Sequence, residues 1–534
     1  MSVTPLGNMS SKNSDPSNTP ISDSLEDHQF VATSARLLHS RPTPSTPGES
    51  RAQPKQYSPF LLSPPGWQES VGAIGLKVAD LEDVYPCSTT ARFWVDLALR
   101  NQGRALLGQF QRDLGTDLDP SRFIEAWEQL RFIEPALRTV FMKVPASGAG
   151  LTACAVLRPE IRILEARGPT VEMVTLENGM EMTKTIKDVL GEHRLMLGVI
   201  PIKNWLILDK ASMSWTWVFS WHHALYDAKT LGYQTKELTL LYDRGQEAMH
   251  SLLAKRGVHN SFGAYLHSIS GSRHSRFWDN YLAGASAPVW PPSKVGYSSD
   301  YSTFLHSTGQ WPRNAADVAR KIGVATAVVL RTAFAVAQFE QQEHLPHQCS
   351  DVIIYEAVEC RALAGVGDVW GFCTNVDILR VPLSHLLSTR SETAAEKGRY
   401  LERLVETTLP AIAEGMEVAA KVLGSKVEAG SHFQTSMLNI LDMSGGSGDL
   451  NRNERQYGYK EAQFVKGRTG GPVFVDNLLV LNCVGNYFPC SMQVTAMEEN
   501  TMFICSYDPD ILNKEDVDVF VQRQVEVLDE LSAF

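Results

Sequence analysis

The chain has 534 residues, of which 43% are hydrophobic and 20% charged; these are globular values, with length for two large lobes or three ordinary domains. A formal charge of −11, without any run of five Lys or Arg, argues against nucleic acid or an anionic membrane as the main partner. Eight scattered cysteines form no C-x-x-C, and no apolar run approaches the ~18 residues of a membrane span, so the sequence points to no metal centre, no disulfide framework and a reduced, cytoplasmic home.

Residues 1 to about 60 are rich in Ser and Pro and poor in aromatics, and read as a disordered leader without a signal-peptide core. Apolar periodicity and turn signals first coincide near Gly75, where folded structure is expected to begin. Ser121 to Phe132 reads as a helix capped by Ser121, with Phe123, Ile124, Trp127 and Leu130 on one face. Asn204 to Asp209 and Trp215 to Ser220, joined by a polar turn, read as a β-hairpin whose Trp215, Trp217 and Trp221 share one face. Asp227 is placed to cap a following helix with Leu231, Leu238, Leu241 and Tyr242 as its buried stripe. Ile322 to Phe339 reads as one helix, and Asp351 to Val358 as a buried strand. The Pro- and Ser-rich Ala287 to Ser302 is the best internal boundary, dividing a mixed α/β chain into lobes of residues 75–286 and 303–534. Met443 to Leu450 reads as a long loop.

The most informative stretch is WTWVFSWHHALYDAKTL, Trp215 to Leu231. A Trp-rich strand ends near Trp221, His222 and His223 follow, and Asp227 comes after three more residues. A histidine held at a strand end and braced by a carboxylate is the minimum equipment for proton transfer in acyl chemistry. The bare H-x-x-x-D spacing is weak, since with 14 histidines it should arise roughly once by chance, and His347 to Asp351 repeats it. The second copy lies in a polar stretch, whereas Ala224, Leu225 and Tyr226 give the first a spacer that can pack. Other glycine-rich or cysteine signals fail: Gly467 to Gly471 lacks a P-loop lysine, Gly445 to Ser447 lacks a carrier-domain helix, and Cys483 and Cys490 are too far apart for a zinc knuckle.

Seven separated segments, in order, resemble the condensation domains of nonribosomal peptide synthetases. They are LEDVYPCS (81–88), EPALRTVF (134–141), HHALYDA (222–228), Phe277-Trp278 with Tyr281-Leu282, Glu359-Cys360-Arg361, Gly371 to Asn375, and Met437 to Leu441 followed by YDPDIL (507–512). Departures are Thr89 to Arg92 in place of the family's usual Pro-Leu-Gln-Glu, and Ala228 where glycine is usual. The resemblance implies two chloramphenicol-acetyltransferase-like lobes in a V, with a tunnel between them and the histidine motif midway along it. It implies acyl transfer from a carrier-bound phosphopantetheine thioester to an amine or hydroxyl of a small-molecule acceptor. No permanently bound cofactor or metal is implied, and carrier or megasynthase is expected in trans.

By the same resemblance, His223 is the catalytic candidate, as a base or as a hydrogen-bonding group that orients the nucleophile. His222 supports the loop. Asp227 holds its shape by pairing with Arg361, or failing that Arg138, unless it is only a helix cap. Gly371 and Asn375 are expected along the tunnel. Two alternatives share the fold: a BAHD-like acyltransferase using acyl-coenzyme A, against which the absent D-F-G-W-G loop counts, and a non-catalytic module that binds a carrier. A cyclising variant also stays open.

Overall fold

The computed structural model describes residues 58–145, 151–160, 171–177, 181–255, 259–268, 280–285, 290–291, 305–343, 351–361, 369–383, 436–442, 465–466, 472–473, 479–483, 488–497 and 499–533. The leader up to residue 57, the Phe277-Trp278 pair, the His347 end of the second H-x-x-x-D, the loop 443–450, the glycine-rich 467–471 and most of the boundary 287–302 lie outside them. Structure begins before Gly75: Phe60 stacks on Trp67 at 5.1 Å, and Trp67 and Val71 of helix α1 (Trp67–Ala73) enter the core.

The first half continues through β1 (Leu81–Pro86), α2 (Thr89–Arg100), β2 (Leu107–Gly115), α3 (Pro120–Ile133), β3 (Thr139–Val144) and β4 (Leu151–Leu157). Then come β5 (Glu172–Leu176), α4 (Met182–Gly191), β6 (Ile202–Asp209), β7 (Ser214–His222), α5 (Ala228–Arg244), α6 (Gln246–Lys255) and α7 (Ser261–Ser268). The helix expected from Ser121 is capped instead by Asp119, whose carboxylate accepts from the Ser121 and Arg122 amides at 3.0 and 3.1 Å. Pro120, which has no N–H to satisfy, takes the first helical position.

The expected hairpin forms, with Asp209 opposite Ser214 and β7 extended to His222. Strand alternation sorts its side chains. Trp217, Phe219 and Trp221 face α3, where Trp217 meets Phe123 edge-on at 5.3 Å and Trp127 at 5.9 Å. Val218 faces the other way, into a small cluster with Trp205, Ile207 and Ile186 and Leu190 of α4. The Trp series is therefore core.

The second half contains β8 (Leu305–Trp311), α8 (Ala315–Ile322), α9 (Thr326–Glu343), β9 (Asp351–Glu359), β10 (Thr374–Pro382) and β11 (Ser436–Asp442). It ends with β12 (Val465–Lys466), β13 (Pro472–Val473), β14 (Leu479–Cys483), β15 (Cys490–Ala496), β16 (Thr501–Tyr507) and α10 (Lys514–Ala533). The helix expected over Ile322 to Phe339 is α9, with Val328, Val329, Ala333 and Val336 buried as expected; it starts four residues later, because Gly323, at a left-handed φ of 86°, closes α8, and α8 and α9 meet at 103°. No single helix among the described residues is long and apolar enough to cross a membrane.

A six-stranded sheet runs β10-β9-β11-β15-β16-β8, with α9 and α10 packed on it. A five-stranded sheet runs β14-β2-β7-β6-β5. Strand β9 explains its own unbroken apolar run: Val352 and Ile354 enter the second core, while Ile353 and Tyr355 enter the first. The boundary near residue 290 does not separate the sheets. β14, from late in the chain, pairs antiparallel with β2.

Candidate active site

β7 delivers His222 and His223 to the seam between the two sheets. The His222 amide donates to Pro201 O at 3.0 Å and the His223 amide to Leu106 O at 2.8 Å, tying the strand end to its neighbours. A tight turn, His223–Leu225, then leads to α5.

His222 is fully buried, edge-on to Phe141. Its Nδ1 accepts from the Ala224 amide at 3.3 Å, and Nε2 has no hydrogen-bond partner among the described residues. Burial, reinforced by the neighbouring His223 and His193, lowers its pKa to about 3, so the ring is neutral. His193, just past α4, lies on the same side of β7, with Nδ1 2.7 Å from Ser220 Oγ. Burial likewise lowers its pKa to about 3.

His223 is half-buried and differently placed. Its Nδ1 lies 3.0 Å from the Tyr226 carbonyl, an acceptor only, so Nδ1 carries the proton and Nε2 is left with a free lone pair. Three rings hold the imidazole: Tyr226 stacked at 4.5 Å and 9°, Trp94 tilted at 4.5 Å, and Phe372 edge-on at 6.1 Å. Burial lowers its pKa below the ordinary histidine value, despite the opposing carbonyl contact and the Asp227 charge.

Asp227 does not touch the imidazole. Its Oδ1 caps α5, accepting from Thr230 N at 2.9 Å, and its Oδ2 takes Arg361 Nη1 at 2.8 Å and the Cys373 amide at 2.9 Å. Cap and ion pair coexist on one carboxylate. Burial pushes its pKa up, but Arg361 and the hydrogen bonds outweigh that and hold it below the carboxylate range. Arg361 spends its other donors on Val369 O, Gly371 O and Thr230 Oγ1 at 2.8, 2.6 and 3.1 Å. Arg138, the second choice, lies elsewhere: it bonds Glu82 at 2.7 Å and the carbonyls of Arg131 and Leu157.

Gly371 has a φ of 123°, open to glycine and strained for other residues, and a Cβ there would lie 3.4 Å from that of Ala136. It lines a cavity at the seam with Phe372 and Cys373 from the second half and Ala91, Ala224 and Leu225 from the first. His223 is not among the walls; the next two residues are. Asn375 is not among these walls; its Oδ1 accepts from Thr90 Oγ1 at 2.9 Å. Ala228 is the exposed first residue of α5, a position with no need of glycine. Sequence reasoning saw Tyr226 as part of a spacer that packs, and missed Thr230, Trp94, His193 and Ser220. Only Thr230 carried a signal, standing three residues after a capping Asp.

No family model matches the chain. It is 20% identical over 505 residues to the nonribosomal peptide synthetase agiA of Aspergillus flavus, covering 92% of this chain and 6% of that protein's length. It is 24% identical over 381 residues to the synthetase SIDD of Beauveria bassiana, covering 67% of this chain and 18% of that protein. Among solved structures, the first condensation domain of the calcium-dependent antibiotic synthetase superposes with a TM-score of 0.57 at 15% identity, over 85% of this chain and 97% of that one. The chain thus has the mixed α/β fold seen in condensation domains. Its relatives are fungal nonribosomal peptide synthetases, of which it spans a small fraction, and the resemblance read from the seven motifs holds.

Proposed function

We propose that the chain is a condensation-type acyltransferase, moving an acyl group from a carrier-bound phosphopantetheine thioester to an amine or hydroxyl. The carrying observation is His223: Nδ1 fixed on a backbone carbonyl, the ring clamped by Tyr226 and Trp94, and Nε2 without a hydrogen-bond partner among the described residues. In the step, the acceptor nitrogen or oxygen forms a bond to the thioester carbonyl carbon and the C–S bond breaks. The acceptor's proton is taken or steered by Nε2 and ends on the departing thiol. A lowered imidazole pKa keeps Nε2 unprotonated at neutral pH, while an α-amine, with a pKa near about 8, arrives largely protonated and must lose that proton first. Asp227 and Arg361 act one shell back, by fixing where β7 ends and α5 begins.

The similarity to fungal synthetases supports a carrier or synthetase as partner; that the partner is met in trans, in the cytoplasm, is part of this proposal. No resident cofactor is required by this chemistry; the phosphopantetheine arm comes with the donor. The test is product formation, read by mass spectrometry, from amine acceptors with acyl thioesters on a phosphopantetheinylated carrier or on coenzyme A. His223→Ala is expected to lower the rate about 10²–10⁴-fold. Full activity in that variant overturns the role of His223. Turnover with acyl-coenzyme A alone selects the coenzyme-dependent reading, and carrier binding without product selects the binding module.

A further inference from the structure

The cavity at the seam has a volume of about 60 Å³, room for a few water molecules, and so for a side chain of a few heavy atoms. Among the described residues that line it there is no Asp, Glu, Lys or Arg. Small side chains set its size: Ala91, Ala136, Ala224 and Gly263, with the thiols of Cys87 and Cys154 alongside. Its histidine, His259, is already engaged, with Nε2 3.2 Å from the buried carboxylate of Asp83. A charged substituent entering here would lose its hydration and meet no countercharge, whereas an aliphatic one would bury against Leu225, Phe262 and Phe372.

Two shared parts link the cavity to the imidazole. Phe372 lines it and also packs edge-on against His223, and Ala224 and Leu225 continue the His223 turn. Ala91 lies one helical turn before Trp94, whose ring packs against both His223 and Phe372. A substrate whose reacting atom sits at Nε2 is therefore within a short reach of this space.

We propose that the cavity selects a small, uncharged aliphatic side chain on a substrate of the reaction, and that Gly263 and Ala91 set the upper limit of its size. The proposal rests on the acyl-transfer reading. The side chain can belong to the acceptor amine or to the donor acyl group, and the two are separable by probe. Cys87, Cys154 and Cys373 are buried thiols in the cavity wall; Cys490 and Cys505, in the second core, are not.

The experiment follows modification of these cysteines in the full chain by methyl methanethiosulfonate, residue by residue, by mass spectrometry. Acceptor probes are the amides of alanine, valine, aspartate and tryptophan. Donor probes are acetyl, isobutyryl and benzoyl amides of aminopantetheine, in which nitrogen replaces the thioester sulfur. Protection of Cys154 and Cys373 of at least fivefold is expected from the small aliphatic members of one series, with none from aspartate, tryptophan or benzoyl probes. The protecting series identifies the source.

Gly263→Ala adds a methyl that stands 3.7 Å from Tyr85, an ordinary contact, so the helix should tolerate it. It should raise the valinamide or isobutyryl concentration needed for protection at least fivefold and leave the smaller probe unaffected. Cavity thiols no more reactive than Cys490 and Cys505, or protection independent of probe size, overturn the proposal. No readout needs turnover. An inactive chain that sorts the probes sinks the reaction and keeps the pocket, while an active chain that does not sort them sinks the pocket alone.

Discussion

Replacing Arg361 by methionine isolates what the buried ion pair does. The side chain keeps comparable length, but Asp227, 5% exposed, loses its cationic partner at 2.8 Å. Breaking one partner from a buried pair typically costs about 3–5 kcal/mol, because the other charge stays in place without compensation. Here Asp227 keeps hydrogen bonds from Thr230 N and Cys373 N, so about 3 kcal/mol is the reasonable expectation. The pH dependence gives the sharper check. With Arg361 gone, burial dominates and the carboxyl pKa rises above its unfolded value of about 3.9. The folded variant then binds the proton more tightly than the unfolded chain, so its deficit relative to wild type shrinks as pH falls through the raised pKa. Urea unfolding followed by tryptophan emission at pH 8 and pH 5.5 should show the larger deficit at pH 8. The Asp227→Leu, Arg361→Met double variant should be less destabilised than the sum of the single changes, by about 2 kcal/mol. A deficit under about 1 kcal/mol at both pH values, or strict additivity, would refute the reasoning.

Gly108→Ala reaches the imidazole from behind: the added Cβ would fall 1.8 Å from the Tyr226 hydroxyl, so the ring stacked on His223 must shift. Turnover should drop by about tenfold or more, with far-UV circular dichroism unchanged; wild-type rates would show that the Tyr226 clamp is dispensable. Acid should weaken the fold before it reaches the carboxylates. His193 and His222 are neutral when folded, with pKa values near 3, while the unfolded chain protonates them below about pH 6.5. Stability is then intact above that pH and falls towards pH 3, by up to about 1.4 kcal/mol per pH unit for each site. A His193→Gln chain should show a flatter slope between pH 6 and 4 in thermal unfolding; an unchanged slope would remove His193 from the account.

Much of this was readable in the residues. The hairpin, the helix after Asp227 and the two-faced strand β9 follow from periodicity, because alternation and burial leave a direct trace in side-chain type. The histidine turn was legible for the same reason: an apolar spacer can be packed, and Leu225 and Tyr226 are buried. What escaped were pairings between distant parts of the chain. One such pairing the family resemblance did name: Arg361, ahead of Arg138 of the same chemistry, is the arginine that the fold brings, 134 residues on, to Asp227. Trp94 and Phe372 gave no sign of meeting one imidazole from two halves of the sequence. Periodicity sets the start of α9 four residues early, at Ile322, because the apolar pattern runs through Gly323, which instead closes α8. Ser121 reads as the cap because its hydroxyl can serve as one, while Asp119 caps instead and Pro120 between them is the first residue of the helix.

The return of residues 479–483 to the first sheet has a consequence for how this chain is made. On the ribosome, β2 emerges more than 360 residues before the segment that will lie along its open edge, and Phe488 arrives later still to join the same interior. Until then the early portion carries an unpaired strand border, which invites association with other chains. Splitting the gene near residue 290 should accordingly yield an early fragment that aggregates on its own and becomes tractable only when the late fragment is synthesised beside it.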